Sequence, residues 1–327
     1  MLQTKKADFK QIGARFRIDP VTARIIRNRG IEGEAAIDRY LNGTLDDLYD
    51  PMLLKDMECA VSILCEAVDT GKKIRIVGDY DIDGVCSTYI LLQAFERLGS
   101  DVDFEIPDRI KDGYGINESI IEQAHADGVE VILTCDNGIS AFHQVELAKK
   151  YGMTVVITDH HEVPLDGEKE KIPPADAVID PKRVDCPYPF DGLCGAGVAY
   201  KLVEALTEAM GEDSTDLDDL MENVAIATIG DVMDLVDENR IFVRQGLEML
   251  KRTKNLGLRA LMECTNIPKD GINPYHIGFI LGPCLNASGR LDTAKRALEL
   301  LEAKELREAM VLAEDLKVLN DSRKELT

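Results

Sequence analysis

No uninterrupted apolar run in the 327 residues approaches the roughly 18 needed to cross a bilayer, and neither end carries a signal-peptide pattern. We therefore expect a cytoplasmic protein with no membrane contact. Paired cysteines are also missing. The eight cysteines (59, 65, 86, 135, 186, 194, 264 and 284) are scattered without a C-x-x-C pair, so reduced, packed thiols are expected rather than a disulfide framework, a zinc site or a redox pair. No internal repeat or low-complexity segment is present. Basic charge is scarce: 38 Lys and Arg face 60 Asp and Glu, a net charge of −22. Nonspecific binding to phosphates runs on Lys and Arg, so composition alone speaks against a nucleic-acid enzyme. That objection weakens if part of the acidity is gathered into metal sites, because bound divalent cations reverse the local field.

A hydrophobic content of 45% over this length can bury a sizeable core, in two domains or in one large domain with extensions. Residues 7 to 50 read as short helices, with Phe9, Ile12 and Phe16 on one face, Ala23 and Ile26 on another, and Ala35, Ile37, Tyr40 and Leu41 on a third. From Lys73 the pattern changes to apolar runs of strand length, namely Ile74–Gly78, Val102–Ile106, Val129–Cys135, Thr154–Thr158 and Ala177–Asp180. Helical stretches at 85–98, 116–126 and 140–151 lie between them, which predicts βαβ units and an α/β fold: a parallel sheet flanked by helices. Past Pro181 helical periodicity takes over, as in Val198, Leu202, Leu206 and Met210, and continues near 216–230, 238–253 and 257–265. From about Lys304 one long amphipathic helix is expected, with Leu306, Met310, Ala313, Leu316 and Leu319 on one face. It meets no cap before Thr327 and reads as a linker toward something outside this chain.

The first strand runs into Asp79-Tyr80-Asp81-Ile82-Asp83-Gly84, three carboxylates at alternate positions. Carboxylates this close repel and need a cation. An EF-hand calcium loop matches at its positions 1, 3, 5 and 6 but requires a bidentate Glu at position 12, where Ile90 stands, and the flanks are a strand and a helix. A solvated acidic turn is the remaining plain reading. Against it, Asp136 follows the third strand and Asp159-His160-His161 the fourth, and residues beyond the carboxyl ends of parallel strands converge on one crevice. Asp231, closing the apolar segment Val224–Gly230, supplies a further carboxylate.

Several Asp oxygens with one or two imidazoles suit Mn2+ or Mg2+ better than structural zinc. That many carboxylates would overfill one ion, so two ions are expected, with Asp136 between them. Such a pair is the usual clamp for displacement at phosphorus, and hydrolysis of a phosphoester or phosphoanhydride follows as the natural reaction. His161 is then a general acid, a holder of a phosphate oxygen, or a supporting residue behind the ligands.

These residues resemble the DHH phosphoesterase family, named for the triplet Asp159-His160-His161, and within it the RecJ branch of single-strand-specific 5′ to 3′ exonucleases. The likeness rests on five ordered stretches: Gly78-Asp-Tyr-Asp-Ile-Asp-Gly84, Ile106-Pro-Asp-Arg-Ile-Lys-Asp-Gly-Tyr-Gly115, Thr134-Cys-Asp-Asn-Gly138, Thr158-Asp-His-His161 and Gly282-Pro-Cys-Leu-Asn-Ala-Ser-Gly-Arg-Leu291. It extends to Asn28-Arg29-Gly30 and Cys186-Pro-Tyr-Pro-Phe190. The resemblance implies Asp81, Asp83, Asp136, His160 and Asp231 as manganese ligands, Asp79 as a ligand or close support, and His161 and Asp136 as catalytic. It further implies that Arg109, Tyr114, Asn286 and Arg290 meet a single-stranded DNA substrate in repair and recombination, with a single-strand-binding protein or helicase as partner.

The expected division is a helical extension over 1–50, a DHH domain over 51–292, and a linker helix over 293–327 toward a DHHA1 domain that nothing here matches; an oligonucleotide-binding fold is likewise unmatched. Two residues depart from the family pattern. Ile82 replaces an Ala and is expected to point away from the ligands, and Cys284 replaces an Arg, which removes a possible phosphate contact. Two other readings share the metal loops: a manganese phosphodiesterase acting on short oligonucleotides, cyclic dinucleotides or pyrophosphate, and a DHH domain kept as a non-catalytic binding partner.

Overall fold

The computed structural model describes residues 7–109, 113–291 and 294–325; the side chains of Ser214, Asp216, Arg290 and Leu291 lie outside the description. Five parallel strands form the sheet: β1 (Ile74–Val77), β2 (Val102–Glu105), β3 (Val131–Cys135), β4 (Thr154–Thr158) and, after a short antiparallel hairpin of β5 (Leu165–Asp166) and β6 (Lys169–Glu170), β7 (Ala177–Ile179). All five expected strands form. The small hairpin was not expected, since its residues carry neither β-branched enrichment nor apolar alternation.

The strand order is β2-β1-β3-β4-β7. β1 and β3 are fully buried, as mostly apolar strands covered by helices on both faces must be. β2 lies at the edge and is half-buried, and its Asp103 receives both Nε and Nη2 of Arg75, at 2.7 and 2.8 Å. The chain leaves β1 for β2 on one side and then returns to place β3 on the other. The order therefore reverses between β1 and β3, which is where an open α/β sheet opens a ligand crevice.

Helices Glu118–Ala126 and Phe142–Lys150 cover one face, through a core that includes Ile121, Val145, Val155 and Ile157. Helix Ile82–Arg97 covers the other, with 13 of its 16 residues buried, because helices Gly195–Ala209 and Met221–Gly230 pack over it. It is thus the central rod of the molecule, and its amino end carries the acidic loop. Among the described residues no helix is long and apolar enough to cross a membrane.

The amino-terminal helices Phe9–Phe16, Pro20–Asn28 and Glu34–Asn42 share a small core of Ile26, Ile37 and Tyr40. The last helix, Leu306–Glu325, packs against helices Leu256–Cys264 and Gly282–Leu291. Its buried line is Ala309, Ala313, Leu316 and Asn320, while Leu306 is 45% exposed. The face is rotated from the expected one because the two alanines permit close approach, where leucines on the neighbouring line would hold the helices apart.

Candidate metal centre

Four of the five sheet strands release a carboxylate at or just past their carboxyl ends: Asp79 after β1, Asp136 after β3, Asp159 after β4 and Asp180 after β7. Asp81 caps helix Ile82–Arg97, its Oδ1 accepting from the amides of Asp83 (2.9 Å) and Gly84 (3.1 Å). Asp83, in the first turn of that helix, accepts from the amides of Gly195 and Ala196, each at 2.7 Å. Two helix amino ends thus meet at one buried carboxylate. Asp136 adopts the left-handed backbone (φ 59°) that turns its carboxylate back over the strand ends.

Donor atoms of Asp79, Asp81 and Asp136 lie within 4.8 Å of one another, and so do those of Asp83, His160 and Asp231, and of Asp136, His160 and His161. His160 Nε2 sits 3.1 Å from Asp136 Oδ1, 3.5 Å from Asp83 Oδ2 and 3.8 Å from Asp231 Oδ2. Two ligand groups therefore adjoin, and Asp136 belongs to both sides. Among the described residues none of these five carboxylates has a Lys or Arg ion pair, and the buried Asp79 Oδ2 has no hydrogen-bond partner.

Burial, with the Asp81 charge beside it, pushes Asp79 up to about 7, and burial with Asp83 and Asp81 does the same to Asp231. Burial first and Asp83 second hold Asp136 well above the carboxylate range; burial also raises Asp83, against the pull of His160. Buried carboxylates that raise one another and lack a cationic side chain have the chemistry of a divalent-cation site. Burial disfavours protonation of His160, which favours the neutral imidazole that ligation needs.

Around the ligands stands a layer of supporting groups, of which the sequence pattern singled out Asp159 and His161 but not Asn137 or Gly289. Asp159 accepts from the amides of His160 (2.7 Å), His161 (3.2 Å) and Ile139 (2.9 Å) and lies 2.7 Å from His161 Nδ1. Burial alone would raise Asp159, but these hydrogen bonds hold it below the usual range; burial would lower His161, yet its Asp159 bond raises it. Asn137 braces the loops, donating to the carbonyls of Val77 and Cys135 and accepting from the amide of Ile116. Gly289 comes so close to the Tyr80 carbonyl that a Cβ there would sit 2.3 Å from the oxygen, which sets helix Gly282–Leu291, with Asn286, against the acidic loop.

The expected strand contacts fall on the same rim. The Tyr114 hydroxyl donates to the Asp136 carbonyl (2.8 Å) and lies 3.1 Å from His161 Nε2. Its ring meets Tyr80 edge-on at 6.2 Å, and Arg109 stands 5.1 Å over Tyr80. Asn286 keeps a buried Oδ1 with no hydrogen-bond partner among the described residues. The Arg290 side chain and residues 110–112 lie outside the described residues. Ile82 does point away from the ligands, packing where Gly230 and Gly282 leave room. Cys284 is 1% exposed and accepts from Asn320 Nδ2 at 3.5 Å, so its thiol faces the last helix.

The family model described as the DHH family, N-terminal domain, matches residues 73–228. A crystal structure of exonuclease RecJ bound to manganese superposes with a TM-score of 0.75 and 33% identity, over 84% of this chain and 67% of that one. The chain belongs to the DHH family. Within it, the single-stranded-DNA-specific exonucleases RecJ of Haemophilus influenzae and Bacillus subtilis are 40% and 38% identical over 96% and 97% of the chain. The crystal structure of RecJ from Thermus thermophilus in complex with Mn2+ covers 97% of the chain at a TM-score of 0.81 and 30% identity. The chain spans 55% and 39% of the H. influenzae and B. subtilis proteins and 44% of the T. thermophilus one. The DHH triplet itself divides its labour: His160 faces the ligand cluster, while Asp159 holds the His161 imidazole and the backbone amides of both histidines from behind.

Proposed function

We propose that the chain hydrolyses phosphodiester bonds of single-stranded DNA from the 5′ end, with two Mn2+ or Mg2+ ions. Asp79, Asp81 and Asp136 hold one ion; Asp83, His160, Asp231 and the shared Asp136 hold the other. The observation that carries this reading is the sharing of Asp136 between two adjoining ligand groups at the β1/β3 crevice. RecJ relatives in complex with Mn2+ and with Mg2+ support it. Two ions in such a site polarise the phosphate and supply a water deprotonated at neutral pH.

The chain's own residues do the rest. His161, oriented by Asp159, whose bond to it favours the imidazolium, stands at the rim to hold a phosphate oxygen or donate a proton to the leaving oxygen. Tyr114 offers a ring for a base, and Arg109, Arg290 and Asn286 offer donors to the strand. A cytoplasmic helicase or single-strand-binding protein is the proposed source of that strand.

The test is a manganese-dependent assay on 5′-phosphorylated single strands, duplexes, dinucleotides and pyrophosphate, with wild type and Asp136→Ala. Mononucleotide release from single strands, lost in the variant, is expected. Cleavage of pyrophosphate or dinucleotides alone, or rates unchanged by the substitution, would overturn the reading.

A further inference from the structure

The charge of the chain is divided unevenly. Residues 1–42 carry nine Lys and Arg against five Asp and Glu, while the remaining 285 carry 29 against 55. A basic unit is thus attached to a strongly acidic body.

The unit has a specific shape. Helix Phe9–Phe16 gives way to a three-residue turn, Arg17 to Asp19, in which Arg17 is left-handed (φ 55°) and Asp19 caps helix Pro20–Asn28, with Pro20 in its first turn. Gly13 gives the turn its room, since a Cβ there would lie 2.8 Å from the Ile18 carbonyl. Ala23 and Ile26 are buried, and Ile12, Phe16 and Ile18 pack with Ile26 over the third helix. Two short helices joined by a three-residue turn with a left-handed residue, and backed by a third helix, have the connectivity of a helix-turn-helix. Glu34–Asn42 makes the contacts to the body, through Arg39 to Asp237 at 3.0 Å and the Leu41 carbonyl to Arg244 at 2.9 Å.

The second helix turns Val21, Thr22, Arg24, Ile25 and Asn28 to solvent, with Val21 66% and Ile25 50% exposed. These are types that read base edges in a major groove: a guanidinium, an amide, a hydroxyl and apolar groups for thymine methyls. The acids of the unit are engaged elsewhere. Asp8 and Asp19 cap helices, Glu32 and Glu34 pair with Arg27 and Arg15, and Asp38 accepts from Asn42. Lys10, Arg17 and Arg24 have no acidic partner among the described residues.

We propose that residues 9–28 bind duplex DNA, with helix Pro20–Asn28 in the major groove and the surrounding basic residues on the phosphates. The occupant is argued from charge: a basic surface on an otherwise acidic molecule is where a phosphate backbone can dock. On the reading that the metal centre cuts a single strand, this unit would hold the duplex from which that strand emerges. Duplex binding itself needs no metal and is measurable apart from that reading.

The experiment is fluorescence anisotropy in EDTA with labelled duplex and single-stranded DNA of equal length, using wild type, Arg24→Glu and Asn28→Asp. Both positions are exposed, and unchanged circular dichroism checks the fold. We expect duplex affinity to fall about tenfold or more in Arg24→Glu with a shallower salt dependence, and single-strand affinity to stay the same. Equal duplex affinity in wild type and Arg24→Glu would overturn the proposal, as would wild type that binds no duplex at about 100 µM. Parallel loss of duplex and single-strand binding would also overturn it, by placing the patch on the strand's own path. Because the assay contains no free metal, failure of the metal-centre reading leaves its outcome untouched.

Discussion

The amide of Gly195 donates to Asp83 across 112 residues of sequence, at 2.7 Å, and the same glycine presses against the Cβ of Asp136. A Cβ at position 195 would lie 2.7 Å from Asp136 Cβ and 2.9 Å from its Oδ1. Gly195→Ala should therefore displace the shared carboxylate while its helix, buried elsewhere, persists. We expect Mn2+ affinity to fall roughly 10- to 100-fold, as for residues that orient ligands, with circular dichroism unchanged. Calorimetric titration at wild-type affinity would show that this contact does not set the site.

Asp136→Asn should separate stability from chemistry. Asn tolerates the left-handed backbone at φ 59° and removes one of several mutually repelling buried carboxylates. The metal-free variant should melt higher than the metal-free wild type. Saturating Mn2+ should reverse the order, because wild type gains about 2.7 kcal/mol at a hundred times its Kd and the variant gains little. Thermal melts with and without Mn2+ decide this. A variant that melts lower in both conditions would mean that Asp136 is structural.

The sheet was legible because five apolar runs of strand length are separated by helical stretches, and the ligands were legible because carboxylates and imidazoles recur at the strand ends. What supports the ligands was not. Asp83 is held by the amides of Gly195 and Ala196, and a backbone donor leaves no mark in a sequence. Tyr80 is prominent between two aspartates, yet its partners Arg109 and Tyr114 come from another loop and only the fold brings them to it. The Asn320 partner of Cys284 was not legible either, because a motif position gives no direction: which way a side chain faces on a packed helix depends on helix rotation.

Glu222 is buried away from the metal ligands, its Oε1 accepting from Thr253 Oγ1 at 2.7 Å. Burial pushes its carboxyl up to about 7, from the usual 4.5, against the Thr253 bond. The stability it supports is complete below pH 4.5 and is lost as pH rises through about 7, since the unfolded chain releases the proton first. Glu222→Gln keeps the acceptor and removes the charge. It should match wild type near pH 4.5 and exceed it at pH 8 by on the order of 2 to 3 kcal/mol. Urea midpoints at the two pH values provide the check, and an identical pH slope in both proteins would refute the assignment.

Arg109 stands 5.1 Å over the Tyr80 ring, and Tyr80 meets Tyr114 edge-on. If the guanidinium contacts a phosphate, Arg109→Ala should weaken single-strand binding and reduce the log–log salt slope by about one unit, the signature of one lost counterion-releasing contact. Tyr80→Leu should act differently. The charge stays, so the salt slope should remain near that of wild type, while affinity falls because the arginine loses the ring that orients it, a contact of roughly 0.5–1 kcal/mol at an exposed site. The double variant should then bind about as well as Arg109→Ala alone, because an orienting ring has nothing left to orient. These measurements belong in Ca2+ or EDTA, so that cleavage does not compete with binding, and a parallel Mn2+ titration should show the ligand cluster untouched. Additive losses would assign Tyr80 its own contact with the strand, and an unchanged salt slope in Arg109→Ala would remove Arg109 from the phosphate path.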